Sequence, residues 1–411
     1  MKCIRIGFGK IAQIHEEQLK KHGVQTIGVV EINPKLHGEI KNAGMKAFHS
    51  IEETNDYRPD FYDICIPAST RIDVLRALCD MNQSANILLE KPICHFKDIE
   101  VINHILESHQ GKIVVNENYA SSNVTIALQD ALSSKKITPK RLIIESTKHR
   151  GPDFLEGRFI DYELGALGYE GSHLLAIVGE FDAGYEIDRL IDSDIDNIHL
   201  STKNFKEFAD SQSVHQEHQS NKTLSHQGGA YMQFQAKNGC IVDLYTSMAG
   251  LIGFPCPPIA SPGQKIAHTD TQTRYRILRA DGVDDKGVDH QIVGFYEPIM
   301  GLERSQAKLL IFKNWSLESQ SEMFEDNTMS QHLLRAIRHF EGGDINPYSI
   351  KRAIDDVRKL HEWSQTCWHS MEDSDAYLGS KILSDARFED AKRFKVNSIG
   401  NNQSDQSIVK N

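Results

Sequence analysis

The stretch Cys3-Ile4-Arg5-Ile6-Gly7-Phe8-Gly9-Lys10-Ile11-Ala12-Gln13-Ile14-His15 constrains this chain more than any other. Ile4 and Ile6 begin a short apolar strand, and Gly7 and Gly9 follow at once. Ile11, Ala12, Ile14 and Leu19 then recur at helical spacing, with Glu16, Gln18 and Lys20 outside. The reading is strand, glycine turn, helix. Such a turn suits a pyrophosphate: Gly7 permits the tight bend, Gly9 lets phosphate approach the backbone, and the helix N-terminus offers free N–H groups. Ala12 is the small residue at the third position of G-x-G-x-x-G/A. Gly7, Phe8, Gly9, Lys10 and Ile11 are therefore candidate cofactor-binding residues.

A glycine turn alone is a weak signal. Here a second strand, Thr26–Val30, ends in Glu31, 22 residues after Gly9. An acidic residue at that distance takes the ribose hydroxyls of an adenosine, and its charge repels a 2′-phosphate. Ile32 and Asn33 add no cation. The expected cofactor is NAD in preference to NADP.

Alternation continues to about residue 120. Strands are expected at Lys2–Ile6, Thr26–Val30, Lys46–Phe48, Phe61–Ile66, Asn86–Leu89 and Ile113–Asn116, with helices near Ile11–His22, Pro34–Ala43, Arg71–Met81 and Lys97–Ser108. This pattern specifies a parallel, doubly wound sheet, with ligands at the carboxyl ends of its strands. The loops Gly7–Gly9, Pro67–Arg71 and Glu90-Lys91-Pro92 all follow strand ends. Lys91, restricted by Pro92, points into a nicotinamide crevice or makes a salt bridge at the surface; the sequence leaves both open.

From Arg141 the pattern changes. Arg141–Thr147, His226–Gln235, Cys240–Ser247 and Arg274–Arg279 read as strands with little helix between them, which implies an antiparallel sheet in a second, α+β domain. Gly165–Gly179 reads as a glycine-rich loop running into an apolar helix, with His173 at the helix start. Lys148-His149-Arg150 is either a solvated loop or a ligand for a substrate carboxylate or phosphate. Ser330–His369 reads as two helices, broken at Gly342-Gly343 and Pro347, that pack back on the body. The polar stretches 190–225 and 396–411 read as a surface insertion and a mobile tail. The expected domains are 1–120, 121–370 and a polar tail, 371–411.

With 411 residues, the chain is long enough for two domains, and its net charge of −11 argues against a general nucleic-acid binder. No apolar run reaches membrane-spanning length and no signal-peptide pattern opens the chain. The seven cysteines form no C-x-x-C pair. These features point to reduced thiols in the cytoplasm and to no metal site; a cluster of His215, His218 and His226 is the weak alternative.

These residues resemble the Gfo/Idh/MocA family of NAD(P)-dependent oxidoreductases. The resemblance covers about residues 1–370: Gly7-Phe8-Gly9-Lys10-Ile11-Ala12, Glu31, Pro67, Glu90-Lys91-Pro92, Gly171-Ser172-His173 and Asn346-Pro347. It implies an N-terminal Rossmann domain and a C-terminal α+β domain with an open, mainly antiparallel sheet that binds substrate and often builds a homo-oligomer, dimer or tetramer. It implies sugars, sugar derivatives or cyclitols as polyhydroxylated substrates. Pro67, Arg71, Glu90 and Lys91 then border the cofactor, Lys91 contacts substrate, and His173 is the catalytic histidine. The chain departs from the family in three places. Tyr169 and Ala176 stand where aspartates are frequent, and Arg71 stands where a histidine is usual. Tyr169 either shares proton transfer or shapes the pocket. The implied reaction is hydride transfer between a secondary alcohol and the nicotinamide. Two alternatives are an NAD-dependent glycosidase or epimerase with transient oxidation, and a non-catalytic nucleotide or sugar sensor.

Overall fold

Six short strands form a wholly parallel sheet: β1 (Lys2–Ile6), β2 (Gln25–Val30), β3 (Lys46–Phe48), β4 (Phe61–Ile64), β5 (Ile87–Glu90) and β6 (Ile113–Asn116). Their order is β3-β2-β1-β4-β5-β6, the doubly wound arrangement that the alternation specifies. The helices are α1 (Lys10–Lys21), α2 (His37–Asn42), α3 (Ala68–Met81) and α4 (Ile99–Glu107). The structure is a computed structural model that describes residues 1–151, 153, 164–181, 187–201, 223–267, 270, 272–297, 304–343, 345–371 and 390–396. Of 187–201, 223–228 and 365–371 it describes the backbone only.

The chain divides into two compact units, Met1–Ser122 with Thr328–His361, and Asn123–Asn327 with the stretch from Glu362. The sequence reading counts the closing helices with the second domain. In the structure α7 (Thr328–Phe340) and the start of α8 (Ile350–Met371) cluster with the first unit. The reason is packing: Leu333, Ala336, Ile337 and Phe340 on one face of α7 join Cys3, Leu19, Phe61, Leu88 and Val114 in a single apolar cluster. Val115 N–H also donates to the Tyr348 carbonyl, and Asn346 Nδ2 to the Ile113 carbonyl.

In the second unit, α5 (Asn123–Ser134) precedes β7 (Thr138–Thr147), α6 (Ser172–Phe181), β8 (Ile187–Ser201), β9 (Thr223–Ala236), β10 (Ile241–Ser247), β11 (Tyr275–Val283), β12 (Asp289–Phe295), β13 (Gln306–Lys313), β14 (Ser316–Gln320) and β15 (Phe324–Glu325). The main path of the sheet runs β14-β13-β12-β11-β7-β10-β9-β8. Neighbours are antiparallel except β7 and β10. The expected open, mainly antiparallel sheet is present. Its core includes Ile143, Tyr245, Phe254, Tyr275, Ile277, Phe295 and Phe312.

Two expectations need correction. The polar stretch from 190 contributes to a strand, β8, registered along β9; backbone pairing at a sheet edge does not require an apolar sequence. The segment before His173 is helical, not a loop. A π-turn over Leu167–Gly171 leads straight into α6, with Tyr169 N–H donating to the Gly165 carbonyl. His173 therefore sits inside a helix, more than a turn beyond its beginning. His215, His218 and the tail from 397 lie outside the described residues, as does the side chain of His226. The described cysteines Cys3, Cys65, Cys79, Cys94, Cys240 and Cys256 are buried thiols outside any disulfide. No described helix is long and apolar enough to cross a membrane.

Candidate active site

Gly7 has φ +95°, and a Cβ there would lie 2.9 Å from the Cys65 carbonyl oxygen. Only glycine serves, because the backbone takes the left-handed region and passes hard against the end of β4. Gly9 is the N-cap of α1 in extended conformation with no side-chain cap. A Cβ on Gly9 would meet nothing within 4 Å. The first turn of α1 carries no acidic residue. The result is an uncapped helix N-terminus under open space, with its positive dipole end undiminished, which fits a pyrophosphate.

Glu31 follows β2 and turns toward this loop. Its Oε2 accepts from Phe8 N–H at 3.0 Å and its Oε1 from Asn33 N–H at 2.8 Å. A carboxylate oxygen has a second lone pair, so both can still accept a ribose hydroxyl. Ile32, beside it, is 85% exposed. The residues present fit an adenine dinucleotide.

Beneath the glycine loop lies a charged network that sequence reasoning did not find. In α1 the buried residues are Ala12, His15, Gln18 and Leu19, so the polar His15 and Gln18 share the inner face. His15 Nδ1 stands 2.9 Å from Asp63 Oδ1, and Nε2 stands 2.8 Å from Glu90 Oε1. Arg5 Nε donates to Asp63 Oδ2 at 2.8 Å, and Nη1 reaches Glu16 at 2.6 Å. Asn116 Nδ2 donates to Glu90. Burial would push the imidazole down, but the Cys65 sulfur and the Asp63 carboxylate beside it hold its pKa well above the ordinary value. Burial opposes ionisation of Asp63 and Glu90 too. His15 and Arg5 nevertheless hold Asp63 low, and bonds from His15 and Asn116 hold Glu90 low. The signal was available: Arg5 in Cys-Ile-Arg-Ile and Asp63 in Phe-Tyr-Asp-Ile interrupt strands of a parallel sheet, where a charge needs a partner. β1 and β4 pair in register at Arg5 and Asp63.

His15, Asp63 and Cys65 bring their donor atoms within 4.8 Å of one another, close enough to hold a metal. The Arg5 guanidinium already supplies the cation against Asp63, and the second nitrogen of His15 faces Glu90.

Arg71 of α3 is buried. Its Nη1 donates to the Pro92 carbonyl and its Nη2 to the Ile66 carbonyl at 2.5 Å, which ties the loop after β4 to the turn after β5. Burial pushes its pKa down to about 10 against the attraction of Glu90, so it is charged at neutral pH. Pro67 caps α3. Glu90 is buried and turned inward, while Lys91 is half-buried and joined to Pro92 by a cis peptide. The turn carrying Lys91 is thus held from two sides, by His15 and Asn116 on Glu90 and by Arg71 on Pro92.

In the second unit, Tyr169 in the π-turn and His173 in α6 are four residues apart and both half-buried, whereas Glu170, Ser172 and Leu174 are buried. The spacing puts Tyr169 and His173 on one face. The Arg150 guanidinium lies over the Tyr169 ring, 5.1 Å from its centroid. Glu170, adjacent to Tyr169, accepts from Arg150, from Ser146 Oγ at 2.9 Å and from Arg276 Nη2 at 3.1 Å. Ala176 is buried in α6.

Residues 1–117 match GFO_IDH_MocA, an oxidoreductase family with an NAD-binding Rossmann fold. The resemblance read from the sequence is borne out over that part of the chain. No curated protein matches. Among solved structures, a putative NADPH-dependent oxidoreductase from Desulfitobacterium hafniense shares 10% identity, with 90% of this chain and 96% of that chain covered and a TM-score of 0.63. A probable dehydrogenase from Thermotoga maritima shares 14%, covering 91% and 97%, with a TM-score of 0.61. UDP-N-acetylglucosamine 3-dehydrogenase from Acidithiobacillus ferrooxidans shares 13%, covering 89% and 97%, with a TM-score of 0.56. At these identities the likeness establishes the fold, and it extends over both units.

Proposed function

We propose that this chain, whose N-terminal domain is the NAD-binding Rossmann domain of the Gfo/Idh/MocA oxidoreductases, is an NAD-dependent dehydrogenase that oxidises a secondary alcohol of a sugar, sugar derivative or cyclitol. The observation that carries the reading is the open, uncapped N-terminus of α1 beside the anchored Glu31. The likeness to a nucleotide-sugar dehydrogenase supports the substrate class.

In this reading Gly9, Lys10 and Ile11 bind the pyrophosphate through backbone N–H groups, while Gly7 and Phe8, whose N–H groups donate to the Val30 carbonyl and to Glu31 Oε2, shape the turn beneath it. Glu31 would hold the adenosine ribose, and the exposed Ile32 beside it would offer an apolar surface to the adenine. Pro67 and Lys91 border the nicotinamide, with Arg71 and Glu90 fixing their loops from within. When bound, the nicotinamide accepts a hydride. The chain's own residues manage the proton and the charge. The Lys91 ammonium stabilises the developing alkoxide, and the His173 imidazole takes the hydroxyl proton. The family resemblance further implies a homo-oligomer, and the scattered, unpatterned cysteines a reducing cytoplasm.

The test is a panel of sugars, sugar derivatives and cyclitols incubated with NAD, followed by NADH absorbance. Turnover with at least one member, lowered about 10²-fold or more by Lys91→Ala, is expected. Epimerised or hydrolysed product without net NADH would replace the reading with transient oxidation. Tight NAD binding with no product of any kind would leave a sensor.

A further inference from the structure

Ser146, Lys148 and Arg150 alternate onto one side of the chain at and beyond the end of β7, opposite Glu145 and Thr147. Their contacts show the split. Thr147 Oγ1 bonds Glu145 at 2.7 Å, whereas Lys148 Nζ reaches Asp153 Oδ2 at 2.7 Å and Ser146 reaches Glu170. Arg150 Nη1 donates to the same Asp153 oxygen at 2.8 Å. Two cations therefore share one carboxylate oxygen, and the Lys148 side chain is only 2% exposed. Arg150 continues to Glu170, which Arg276 also holds. Burial pushes the Lys148 amine down to about 8, helped by the Arg150 charge and opposed by its bond to Asp153.

Among the described residues, two buried polar atoms beside this chain of charges have no hydrogen-bond partner: Nε of Arg150 and Oγ of Ser172, which lies two residues past Glu170. Leaving such groups unpaired in a buried setting is costly, the more so for a charged one. A ligand oxyanion would satisfy Arg150 Nε and Ser172 Oγ, beside a cluster in which three cations, Lys148, Arg150 and Arg276, outnumber two carboxylates, Asp153 and Glu170.

We propose that Lys148, Arg150 and Ser172 form a subsite for an anionic group on the substrate, a carboxylate or a phosphate ester. The substrate of the second unit is then a charged sugar derivative rather than a neutral polyol. The inference rests on the dehydrogenase reading only in calling the ligand a substrate; anion binding itself requires no hydride transfer. Charge-assisted hydrogen bonds to buried cations select an oxyanion strongly over a hydroxyl.

The test uses the full chain saturated with NAD, which blocks phosphate from the glycine loop. Thermal midpoints are titrated with inorganic phosphate, acetate, D-glucuronate and D-glucose at constant ionic strength set with chloride. Saturable stabilisation by at least one anion and none by glucose is expected. Lys148→Met should weaken anion binding about tenfold or more, and Ser172→Ala, a milder change that keeps the fold, should weaken it several-fold. Both should leave NAD binding unchanged. A stronger response to phosphate assigns a phosphate ester, and a stronger response to acetate or glucuronate assigns a carboxylate. Absence of saturable anion binding overturns the proposal, as does binding that neither variant alters. Oxidation of a neutral polyol without anion binding would remove this subsite and leave the dehydrogenase reading standing. Anion binding without oxidation of any alcohol would do the reverse.

Discussion

His15 Nε2 stands 2.8 Å from Glu90 Oε1, and the residue after Glu90 is Lys91. One buried imidazole thus joins α1, whose N-terminus is the proposed pyrophosphate site, to the strand end that presents the proposed substrate lysine. Its other nitrogen is anchored to Asp63, itself anchored to Arg5. His15→Phe would leave two carboxylates buried against an apolar ring, at a cost of about 3–5 kcal/mol for a broken buried pair. Urea midpoints should record it. The pH dependence has a definite sign. The folded pKa of His15 is raised, so its contribution is complete below about 6.5 and is lost as pH rises through the folded value. Asp63 is lowered, so its contribution is complete above about 3.9 and is lost as pH falls further. Wild-type stability should decline in the alkaline range, and His15→Gln should flatten that decline.

Glu31 is the proposed determinant of cofactor choice. Its carboxylate is fixed by two backbone N–H groups, so it cannot swing away from a 2′-phosphate. Fluorescence titration should give a lower Kd for NADH than for NADPH, and Glu31→Ala should narrow the gap by at least about tenfold. Equal affinities in the wild type would remove this role.

His173→Ala should abolish most activity. His173 lies inside a continuous helical segment beyond the π-turn, and not at a helix N-terminus. Tyr169 presents its ring to Arg150, a contact that phenylalanine retains. Tyr169→Phe should therefore keep turnover within a few-fold. A loss of about 10²-fold, with a shifted basic limb of the pH–rate profile, would instead assign proton transfer to its hydroxyl.

Asp356 in α8 is buried and accepts from the Tyr348 hydroxyl. Burial raises its pKa to about 7, reinforced by Glu117 and opposed by the Tyr348 bond. The folded state then binds a proton more readily than the unfolded chain, so this group costs stability as pH rises from about 4 to 7. Asp356→Asn should be stabilising at pH 8 and nearly neutral at pH 4 by thermal melts. A uniform loss at both values would show that the charge is not the determinant.

The sequence by itself determined the strand–turn–helix of residues 2–21, the alternation to Asn116 and the acid at Glu31. Each depends on apolar periodicity or on backbone freedom at a single residue, which are local properties. It also announced a second, mainly antiparallel sheet through the change of pattern after Arg141. Tertiary structure alone decided the partners of the charges. Arg5 meets Asp63 because β1 and β4 are registered there, and His15 reaches Glu90 only once α1 covers β5. Lys148, Asp153, Arg150, Glu170 and Arg276 form one chain only after β11 pairs with β7. The allegiance of α7 was likewise invisible, since its apolar stripe of Leu333, Ala336, Ile337 and Phe340 specifies that a face is buried and not against what. Hydrophobic burial has no direction and leaves its mark along the chain, whereas an ion pair or hydrogen bond needs a particular partner that only register and packing supply.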